Sequence, residues 1–404
     1  MEPIHPEVLI RQAESLASDL REQTEGAAER IRELLPDREC ASAGPVYLTG
    51  DGDSYHAACA AEMAFESLGG VACEPVSALR FAEYAAPWLP SGPARPLVIA
   101  ISASAGTPRV VQAIEAARRQ GALTVAITST SEGPVTQAAD RCLVFDLARP
   151  ERSPGIRTYQ ASLLGLLLTA IRLAEARDRP EPRDRVLRQE LAALPAMVEA
   201  TASAIKDRCR AVADMAADSP VLVMVGSGPS YGTALFSAAK MTEAAGVFAA
   251  GQDVEEWCHV ETNAYPDDMP VFVIAPPGRS HWRAAELAAQ ARRQGRLVVA
   301  VTDAADTEVA ACASAQLPVH GRVREEFSPL LYHVFAGYVA SYLAGRLRRR
   351  PLLSWRSAGA RASRAAGMTA FRSGEEVKVL RGPSREVLRE QGRSPGPQEV
   401  LALR

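Results

Sequence analysis

The chain lacks the sequence features that mark several classes of protein. Its seven cysteines form no Cys-X-X-Cys pair and no cluster with histidine at the spacing of metal ligands, so neither a zinc site nor a disulfide framework is predicted. No apolar run is long enough to span a membrane, and the N-terminal MEPIHPEVLIRQAESLASDL has the pattern of an amphipathic helix rather than of a secretory signal. We therefore expect a metal-free protein of the reducing cytoplasm.

An excess of charge of either sign is also missing. The 404 residues include 45 Lys and Arg against 48 Asp and Glu, which gives a net charge of -3. This balance provides no long-range attraction to nucleic acid or to an anionic membrane surface, so neither is predicted as a partner. Lysine itself is rare, and because it occurs only at Lys206, Lys240 and Lys378, each of these positions is informative.

What the chain does contain is an internal repeat. The segment PVYLTGDGDSYHAACAAEMAFE, which starts at Pro45, is similar to PVLVMVGSGPSYGTALFSAAKMTE, which starts at Pro220. Further along, PLVIAISASAGTPRVVQAIEAARRQG from Pro96 is matched by PVFVIAPPGRSHWRAAELAAQARRQG from Pro270. Both pairs are offset by about 175 residues, as expected of a tandem duplication. A chain of this length can bury two hydrophobic cores, so we expect two similar domains.

Within each copy, short β-branched runs alternate with segments of helical periodicity. Leu97 to Ile101 and Leu123 to Thr128 are two such runs. This alternation predicts βαβ units and a parallel sheet, hence an α/β fold similar to nucleotide-binding folds, with helical extensions at both ends. The predicted segments are an N-terminal helical segment at 1–40, a first domain at 41–180, a helical linker at 181–218, a second domain at 219–347 and a C-terminal tail at 348–404.

A hydroxyl-rich turn follows one predicted strand of the first copy. This turn, SASAGT, carries Ser102, Ser104 and Thr107 and precedes a helix that starts near Pro108. Three hydroxyls, small residues that let backbone amides approach, and a helix N-terminus together suit a phosphate group. Taken alone, the same pattern also fits ordinary N-capping by serine and threonine.

A second polar turn, GDGDS from Gly50 to Ser54, ends another strand of the first copy. Ligands of open α/β sheets bind at the carboxyl ends of the strands, so turns on neighbouring strands can converge on one ligand. The third glycine of Gly-X-Gly-X-X-Gly is missing, and a dinucleotide-binding turn is not predicted. His56, beside this turn, is a weaker candidate for function than for a structural role.

In order along the chain, GDGDSYHAACAAEMAFE and ISASAGTPRVVQAIEAARRQGALTVAITSTSEGPVTQAAD resemble the SIS (sugar isomerase) domain, and the resemblance runs from about Val46 to Ser357. It implies two tandem three-layer SIS domains with parallel sheets. It also implies that Ile156 and Thr158 lie on a loop beside a bound sugar. The positions that it assigns to the sugar phosphate are Asp53, Ser54, Ser102, Ser104 and Thr107.

The second copy differs at the corresponding strand end. Its turn, Ala275 to Ser280, contains two prolines, which have no N–H to donate, so no phosphate site of the same kind is expected there. The resemblance instead assigns acid–base chemistry to the second copy. The residues concerned are Lys240, Glu243, Glu256 and His259.

Interconversion of an aldose and a ketose needs a base that moves a proton between adjacent carbons and a group that opens the sugar ring. The resemblance gives the first role to Glu243 and the second to His259, which in the family reaches the site from the partner subunit and implies a homodimer. Lys240 would keep Glu243 ionised or stabilise an enediolate. Spacing alone also allows a surface ion pair between Lys240 and Glu243, and a purely structural histidine.

Two departures from the family bear on the reaction. No glutaminase segment precedes the repeat, so glutamine is not expected as a source of ammonia. Near the C-terminus, Arg356 takes the place of a family lysine that forms an imine with the sugar. Arginine stays protonated and is a poor Schiff-base nucleophile, but it can bind a phosphate or carboxylate with two parallel hydrogen bonds. We therefore expect Arg356 to bind substrate.

The sequence thus predicts a homodimeric enzyme, without metal or organic cofactor, that isomerises a sugar or amino-sugar phosphate through a cis-enediol. Two alternatives stay open. Cleavage of a sugar C–N bond, as by deglycases and amino-sugar deaminases of the family, would use a similar carboxylate and histidine. A phosphosugar sensor would keep the pocket without turnover, although the retained Glu243 and His259 favour an enzyme.

Overall fold

The computed structural model describes residues 4–177 and 183–352. Arg356 and the rest of the predicted tail from residue 353 onwards lie outside the described residues. In the described part of the chain, no helix is both long and apolar enough to cross a membrane.

Helices and strands alternate along the described chain. The helices are α1 (Glu7–Leu34), α2 (Asp37–Ala41), α3 (Asp53–Ser67), α4 (Ala78–Arg80), α5 (Pro108–Arg119), α6 (Pro134–Ala138), α7 (Arg157–Ala176), α8 (Arg183–Ala216), α9 (Pro229–Ala245), α10 (Val254–His259), α11 (His281–Arg293), α12 (Pro329–Tyr332) and α13 (Val334–Arg346). The strands are β1 (Ala43–Gly50), β2 (Cys73–Ser77), β3 (Arg95–Ile101), β4 (Leu123–Thr128), β5 (Arg141–Val144), β6 (Val221–Val225), β7 (Phe248–Gln252), β8 (Val271–Ala275), β9 (Val298–Asp303) and β10 (Ala315–Val319).

The strands form two five-stranded sheets in which neighbouring strands are parallel. The first sheet has the order β2-β1-β3-β4-β5, and the second has the order β7-β6-β8-β9-β10. The two sheets therefore have the same topology. This confirms the predicted α/β class and the tandem duplication.

Each sheet is covered on both faces, as parallel sheets usually are. Because side chains alternate along a strand, Leu97, Ile99 and Ile101 of β3 enter the core that the two domains share, whereas Val98 and Ala100 enter a separate core with α5. Strand β8 divides its side chains between two cores in the same way. Each domain is therefore a three-layer structure, as predicted.

Helices α3 and α9 pack against each other across the two domains. A Cβ at Gly232 of α9 would lie less than 3 Å from the backbone of Ala60 in α3, so the helices can approach this closely only with glycine at that position. Asp53 begins α3, and Lys240 lies on α9. This helix contact therefore sets the separation between two candidate site residues from different domains.

The N-terminal helix α1 packs on α7 and α8. Arg157 of α7 donates two hydrogen bonds of 2.6 Å to the carboxylate of Asp19 in α1, and both residues are buried. A paired, doubly hydrogen-bonded arginine of this kind fixes orientation as well as distance. The N-terminal extension is thus an integral part of the described structure.

Candidate active site

The site begins at the tight turn between β1 and α3. Gly52 has a φ of +58°, a left-handed conformation that favours glycine. Gly50 has no room for a side chain, because a Cβ there would lie 2.6 Å from Ser54 Cβ. The chain therefore turns directly into α3, whose first residue is Asp53. Gly228, with a φ of +56°, repeats this turn in the second domain.

The neighbouring strand β3 ends in the hydroxyl-rich turn. Ser102 Oγ and Thr107 Oγ1 lie 2.9 Å apart, and Ser104 Oγ accepts a hydrogen bond from the amide of Gly106 at 3.3 Å. Helix α5 follows Thr107 directly, but the Thr107 side chain makes no N-capping hydrogen bond. Ordinary capping therefore does not account for Thr107, and two hydroxyls are gathered at the edge of the sheet beside the first turn.

The two domains meet at a cluster of three charged side chains. Lys240 Nζ of α9 lies 2.5 Å from Asp53 Oδ2 of the first domain and 2.6 Å from Glu243 Oε2 of its own helix. The Lys240 side chain is fully buried, whereas 22% of the Asp53 side chain and 36% of the Glu243 side chain are exposed. Lys240 and Glu243 thus form the i, i+3 ion pair that the alternative named, but the ammonium is buried and also paired with Asp53 of the other domain.

Burial and charge act in opposite directions on this cluster. Burial on its own would raise the pKa of Asp53, but the Lys240 ammonium and the nearby His56 lower it below its ordinary value. Burial raises the pKa of Glu243, and the attraction of Lys240 does not offset this because the charge of Asp53 raises it further. The two carboxylates raise the pKa of Lys240 although burial opposes them. Glu243 is thus the carboxylate that more readily accepts a proton.

An aromatic stack lies beneath the cluster. Lys240 Nζ is 5.2 Å from the centroid of the Phe236 ring, a cation–π contact that favours the charged lysine. Phe236 in turn stacks on Tyr159 of α7 with 3.8 Å between ring centroids. Neither aromatic residue was among those predicted from the sequence. The i, i+4 spacing of Phe236 and Lys240 could have indicated the first contact, whereas Tyr159 is brought there only by the packing of α7 on α9.

Thr158 lies next to Asp53, but on a helix rather than on the predicted loop. It is the second residue of α7, and Ile156 is buried at the N-terminus of that helix. A Cβ at Gly155 would lie 2.5 Å from Thr158 Oγ1 and 3.1 Å from Asp53 Oδ2, so both polar groups border this glycine. The helix start was missed because Pro154 and Gly155, immediately before it, are typical of loops.

His56 lies closer to the cluster than its sequence context indicated. Its Nδ1 atom is 3.7 Å from Asp53 Oδ1, and only 15% of its side chain is exposed. An imidazole at this distance interacts with the carboxylate electrostatically, most strongly when it is protonated. His56 therefore supports the low pKa of Asp53 through Oδ1, whereas Lys240 contacts Oδ2.

His259 and Glu256 lie apart from this cluster. Both are on the short helix α10 and are exposed, and His259 Nε2 contacts Glu255 Oε1 at 3.1 Å. In the described part of the chain, neither makes a hydrogen bond or an ion pair with Lys240 or Glu243. A single chain therefore does not bring together all four residues that the resemblance assigned to acid–base chemistry.

The matching strand end of the second domain is filled by a carboxylate of the protein itself. Glu325 accepts hydrogen bonds of 3.2 Å from the backbone amide of Arg279, and a Cβ at Gly278 would collide with the same carboxylate. An anion held at this turn would be repelled by Glu325. The corresponding turns of the two domains therefore differ, since hydroxyls line the first and a carboxylate occupies the second.

The described chain ends beside the helix that carries Lys240 and Glu243. The amide of Leu352 donates to the carbonyl of Glu243 at 2.8 Å, and the Arg349 side chain donates to two carbonyls at the end of α9. The C-terminal segment is therefore attached to α9 a few residues before Arg356. Arg356 itself lies outside the described residues.

Comparison with protein families defines the class to which this architecture belongs. The SIS domain family matches residues 40–172 and 216–346, which together make up more than half of the chain. The chain therefore belongs to the SIS domain family and carries two copies of the domain. This confirms the resemblance inferred from the two glycine- and serine-rich turns.

Two curated relatives align with about three quarters of this chain. Glutamine–fructose-6-phosphate aminotransferase (isomerizing) of Mycolicibacterium paratuberculosis is 30% identical over 317 residues, which are 76% of this chain and 50% of the relative. The enzyme of the same name from Pyrococcus horikoshii is 30% identical over 304 residues, which are 74% of this chain and 48% of the relative. The chain thus spans about half the length of the curated relatives it matches.

A solved structure shows the same fold. The C-terminal domain of glucosamine-fructose-6-phosphate aminotransferase from Francisella tularensis superposes with a TM-score of 0.74 at 14% identity, over 86% of this chain and 97% of the other. At this level of identity the superposition shows a common architecture. A shared architecture is not evidence of a shared substrate.

Proposed function

We propose that the chain is an aldose/ketose isomerase that acts on a phosphorylated sugar or amino sugar through a cis-enediol. The observation that carries the proposal is the buried Lys240 ammonium between Asp53 and Glu243 at the junction of the domains. A carboxylate of raised pKa beside a fixed positive charge suits an enzyme that moves protons. Membership of the SIS family, and relatives named for fructose 6-phosphate, support a phosphosugar substrate.

In this proposal Glu243 is the base. Its carboxylate takes a proton from the carbon next to the sugar carbonyl, and the electron pair moves onto the carbonyl oxygen to form the enediolate. The Lys240 ammonium stabilises this negative charge, which is larger in the transition state than in the substrate. Glu243 returns the proton to the former carbonyl carbon. A second proton moves from the neighbouring hydroxyl, which becomes the new carbonyl, to the enediolate oxygen, so no atom is gained or lost. Asp53 stays ionised and keeps Lys240 charged.

The hydroxyl-rich turn is proposed to bind the phosphate, because its hydroxyls can donate to phosphate oxygens. The proposed ligands are Ser102, Ser104 and Thr107 of this turn, together with Ser54 at the start of α3. An ionised Asp53 cannot donate a hydrogen bond, so we place it on the sugar side, next to Thr158. Arg356 would add a contact from the C-terminal segment.

Ring opening is assigned to His259, with Glu256 beside it. In a homodimer, both residues would reach the site of one chain from its partner subunit. The segment around His259 is open to such a contact, since 71% of the His259 side chain is exposed, as are Val260 and Tyr265 at 60% and 83%. Exposed apolar residues that cluster around a polar group are typical of interaction surfaces. The dimer would thereby complete a site that each chain provides only in part.

Proton NMR in deuterated water tests the proposed reaction. The full chain would be incubated with fructose 6-phosphate, glucose 6-phosphate, glucosamine 6-phosphate and other sugar phosphates. Deuterium appearing on the carbon next to the carbonyl supports isomerisation. Release of ammonia or an amine from an amino sugar, with or without such exchange, would instead establish C–N cleavage, and saturable binding with neither reaction would establish a sensor.

Replacing the paired hydroxyls, Ser102→Ala with Thr107→Ala, is expected to weaken binding of a sugar 6-phosphate by roughly tenfold or more, because hydrogen bonds to a charged group are lost. Isothermal titration calorimetry measures this. The control is Ser280→Ala, at the start of α11 in the second domain, where the side chain makes no capping hydrogen bond. Equal losses in both proteins would contradict a single phosphate site in the first domain.

Asp53→Asn is expected to move the acidic limb of the pH–rate profile to lower pH. The charge of Asp53 raises the pKa of Glu243, so its removal lowers that pKa, and a base is active above its pKa. The measurement is kcat/KM as a function of pH. Asp51→Asn, an exposed neighbour in the same turn, should leave the profile in place. A shift toward higher pH would show that Asp53 acts on Glu243 in another way.

A further inference from the structure

A cavity of about 880 Å³ lies between α1, α7 and α8, and none of the proposed active-site residues lines it. Ligand sites in proteins commonly have volumes of roughly 300 to 1,000 Å³ and mostly apolar walls, and they occur between packed helices. This cavity fits that description. Its apolar walls are formed by Leu20, Ala28, Leu168, Leu191, Ala192 and Pro195.

Among the described residues that line the cavity are three arginines, Arg21, Arg32 and Arg188, and two glutamates, Glu25 and Glu175. Glu175, with 10% of its side chain exposed, accepts a 3.0 Å hydrogen bond from Arg188 Nε, and its second oxygen lies 3.6 Å from Arg32 Nε. Arg172 lies at the same distance from Glu175 but is paired with Asp37 as well. Because each guanidinium has five N–H groups, Arg32 and Arg188 retain donors for a second anion.

The wall formed by α8 contains a backbone acceptor without its usual helical donor. Pro195 lies inside α8, and it has no N–H to donate to the carbonyl of Leu191 four residues earlier. Both residues line the cavity. A ligand with an N–H or O–H group on its apolar body could donate to this carbonyl, which would otherwise lack its helical hydrogen bond.

Ion pairs between α1 and α8 hold these two helices in place. Arg21 of α1 pairs with Glu199 of α8, and Lys206 of α8 pairs with Glu14 of α1 at 2.6 Å. Exposed pairs of this kind add little stability individually, but together with the buried face of α1 they fix one geometry. A preformed cavity binds without the cost of ordering its walls.

We propose that this cavity is a second ligand site for a small amphipathic anion: an apolar body of drug-like size with one carboxylate or similar head group, held by Arg32 and Arg188. The apolar walls bind the body, and the guanidinium groups select the charge. The site is separate from the sugar phosphate site and does not depend on the proposed isomerase activity.

Fluorescence titration of the full chain tests the proposal with two probes. The first is 8-anilinonaphthalene-1-sulfonate, an apolar anion with an N–H group, and the second is its uncharged analogue, N-phenyl-1-naphthylamine. We expect saturable binding of the sulfonate at one site per chain, displacement by decanoate, and binding of the neutral probe weaker by roughly tenfold or more, since the charge-assisted hydrogen bonds are missing. Equal affinities for the two probes would overturn the charge selection.

Matched variants locate the binding. Ala192→Trp fills the cavity and should abolish binding of both probes, whereas Ala193→Trp, at an exposed neighbouring position that does not line the cavity, should not. Arg32→Gln with Arg188→Gln should weaken only the sulfonate. Arg30→Gln, on the same helix as Arg32 but outside the cavity lining, is the control.

Two measurements on the variants distinguish ligand binding from misfolding and from self-association. Thermal unfolding of each variant shows whether it is folded, and a variant that is not folded is replaced by Ala192→Phe. The sedimentation coefficient shows whether Ala192→Trp changes the oligomeric state. If it does, and if neither probe binds the unmodified chain, the cavity is a contact between copies. That result, or binding unchanged by Ala192→Trp, overturns the proposal.

Discussion

Glu243→Gln is expected to reduce solvent deuterium exchange into a sugar phosphate by roughly 100- to 10,000-fold, the usual contribution of a general base. Glutamine has nearly the shape of glutamate and can still accept a hydrogen bond from Lys240, but it cannot take up a proton. Substrate binding should therefore change far less than exchange. Proton NMR in deuterated water, combined with calorimetric binding, measures the two effects separately.

The control for this variant is Glu115→Gln, an exposed glutamate on α5. It removes the same charge from the chain but not from the cluster, so exchange should remain at the level of the unmodified protein. Exchange that persists in Glu243→Gln would show that a different group moves the proton. Loss of binding together with exchange would mean that Glu243 holds the substrate rather than acting as its base.

The overall fold could be predicted from the sequence because it depends on local and repeated patterns. Apolar runs followed by Gly50 or Gly226, and then by a helix of small residues, predict the same strand–turn–helix unit twice. The left-handed conformations of Gly52 and Gly228 are what such a turn requires. The sequence patterns were therefore sufficient to predict the parallel sheets and the duplication.

The composition of the charged cluster could not be predicted in this way. Asp53 and Lys240 are far apart in the sequence and belong to different domains, and they meet because Gly232 lets α9 approach Ala60 of α3. The resemblance placed Asp53 with the phosphate ligands and Lys240 with the acid–base residues. Only the packing of the two helices shows that the two side chains form one ion pair.

Other parts of the site could not be predicted from the spacing of residues along the sequence. The sequence allowed Thr107 to cap α5, but its hydroxyl pairs with Ser102 instead. Thr158 was expected on a loop, and Pro154 and Gly155 before it are typical of loops, but α7 begins just after these two residues and includes Thr158. His259 stays a prediction, because its proposed role requires a second copy of the chain.

Lys240→Met is expected to destabilise the protein by about 3 to 5 kcal/mol at neutral pH, because removing one partner of a buried ion pair leaves its counter-charges unpaired. Lys240 is fully buried, and its loss removes the cation that contacts Asp53 Oδ2 and Glu243 Oε2. Urea unfolding measures the difference. Asp53→Asn in the same protein should recover part of it, since one unpaired charge is then gone.

The loss of stability in Lys240→Met should also depend on pH. In the unmodified protein the pKa of Asp53 is lowered, so its contribution to stability is present above its unfolded pKa and is lost as the pH falls through the folded pKa. Without Lys240, burial raises the folded pKa of both carboxylates above the unfolded values, and stability is lost as the pH rises through them. The Lys240→Met deficit is therefore expected to shrink in acid.

Lys206→Met is the matched control, since Lys206 also lies 2.6 Å from a carboxylate, that of Glu14, but with 44% and 47% of the two side chains exposed. An exposed pair contributes at most about 1 kcal/mol, so this variant should unfold at nearly the same urea concentration as the unmodified protein. Similar deficits for both variants, or a Lys240→Met deficit that grows in acid, would contradict a buried ammonium held between two carboxylates. The distance from the ammonium to a glutamate oxygen is the same in both pairs, so the difference between the variants reports mainly the effect of burial.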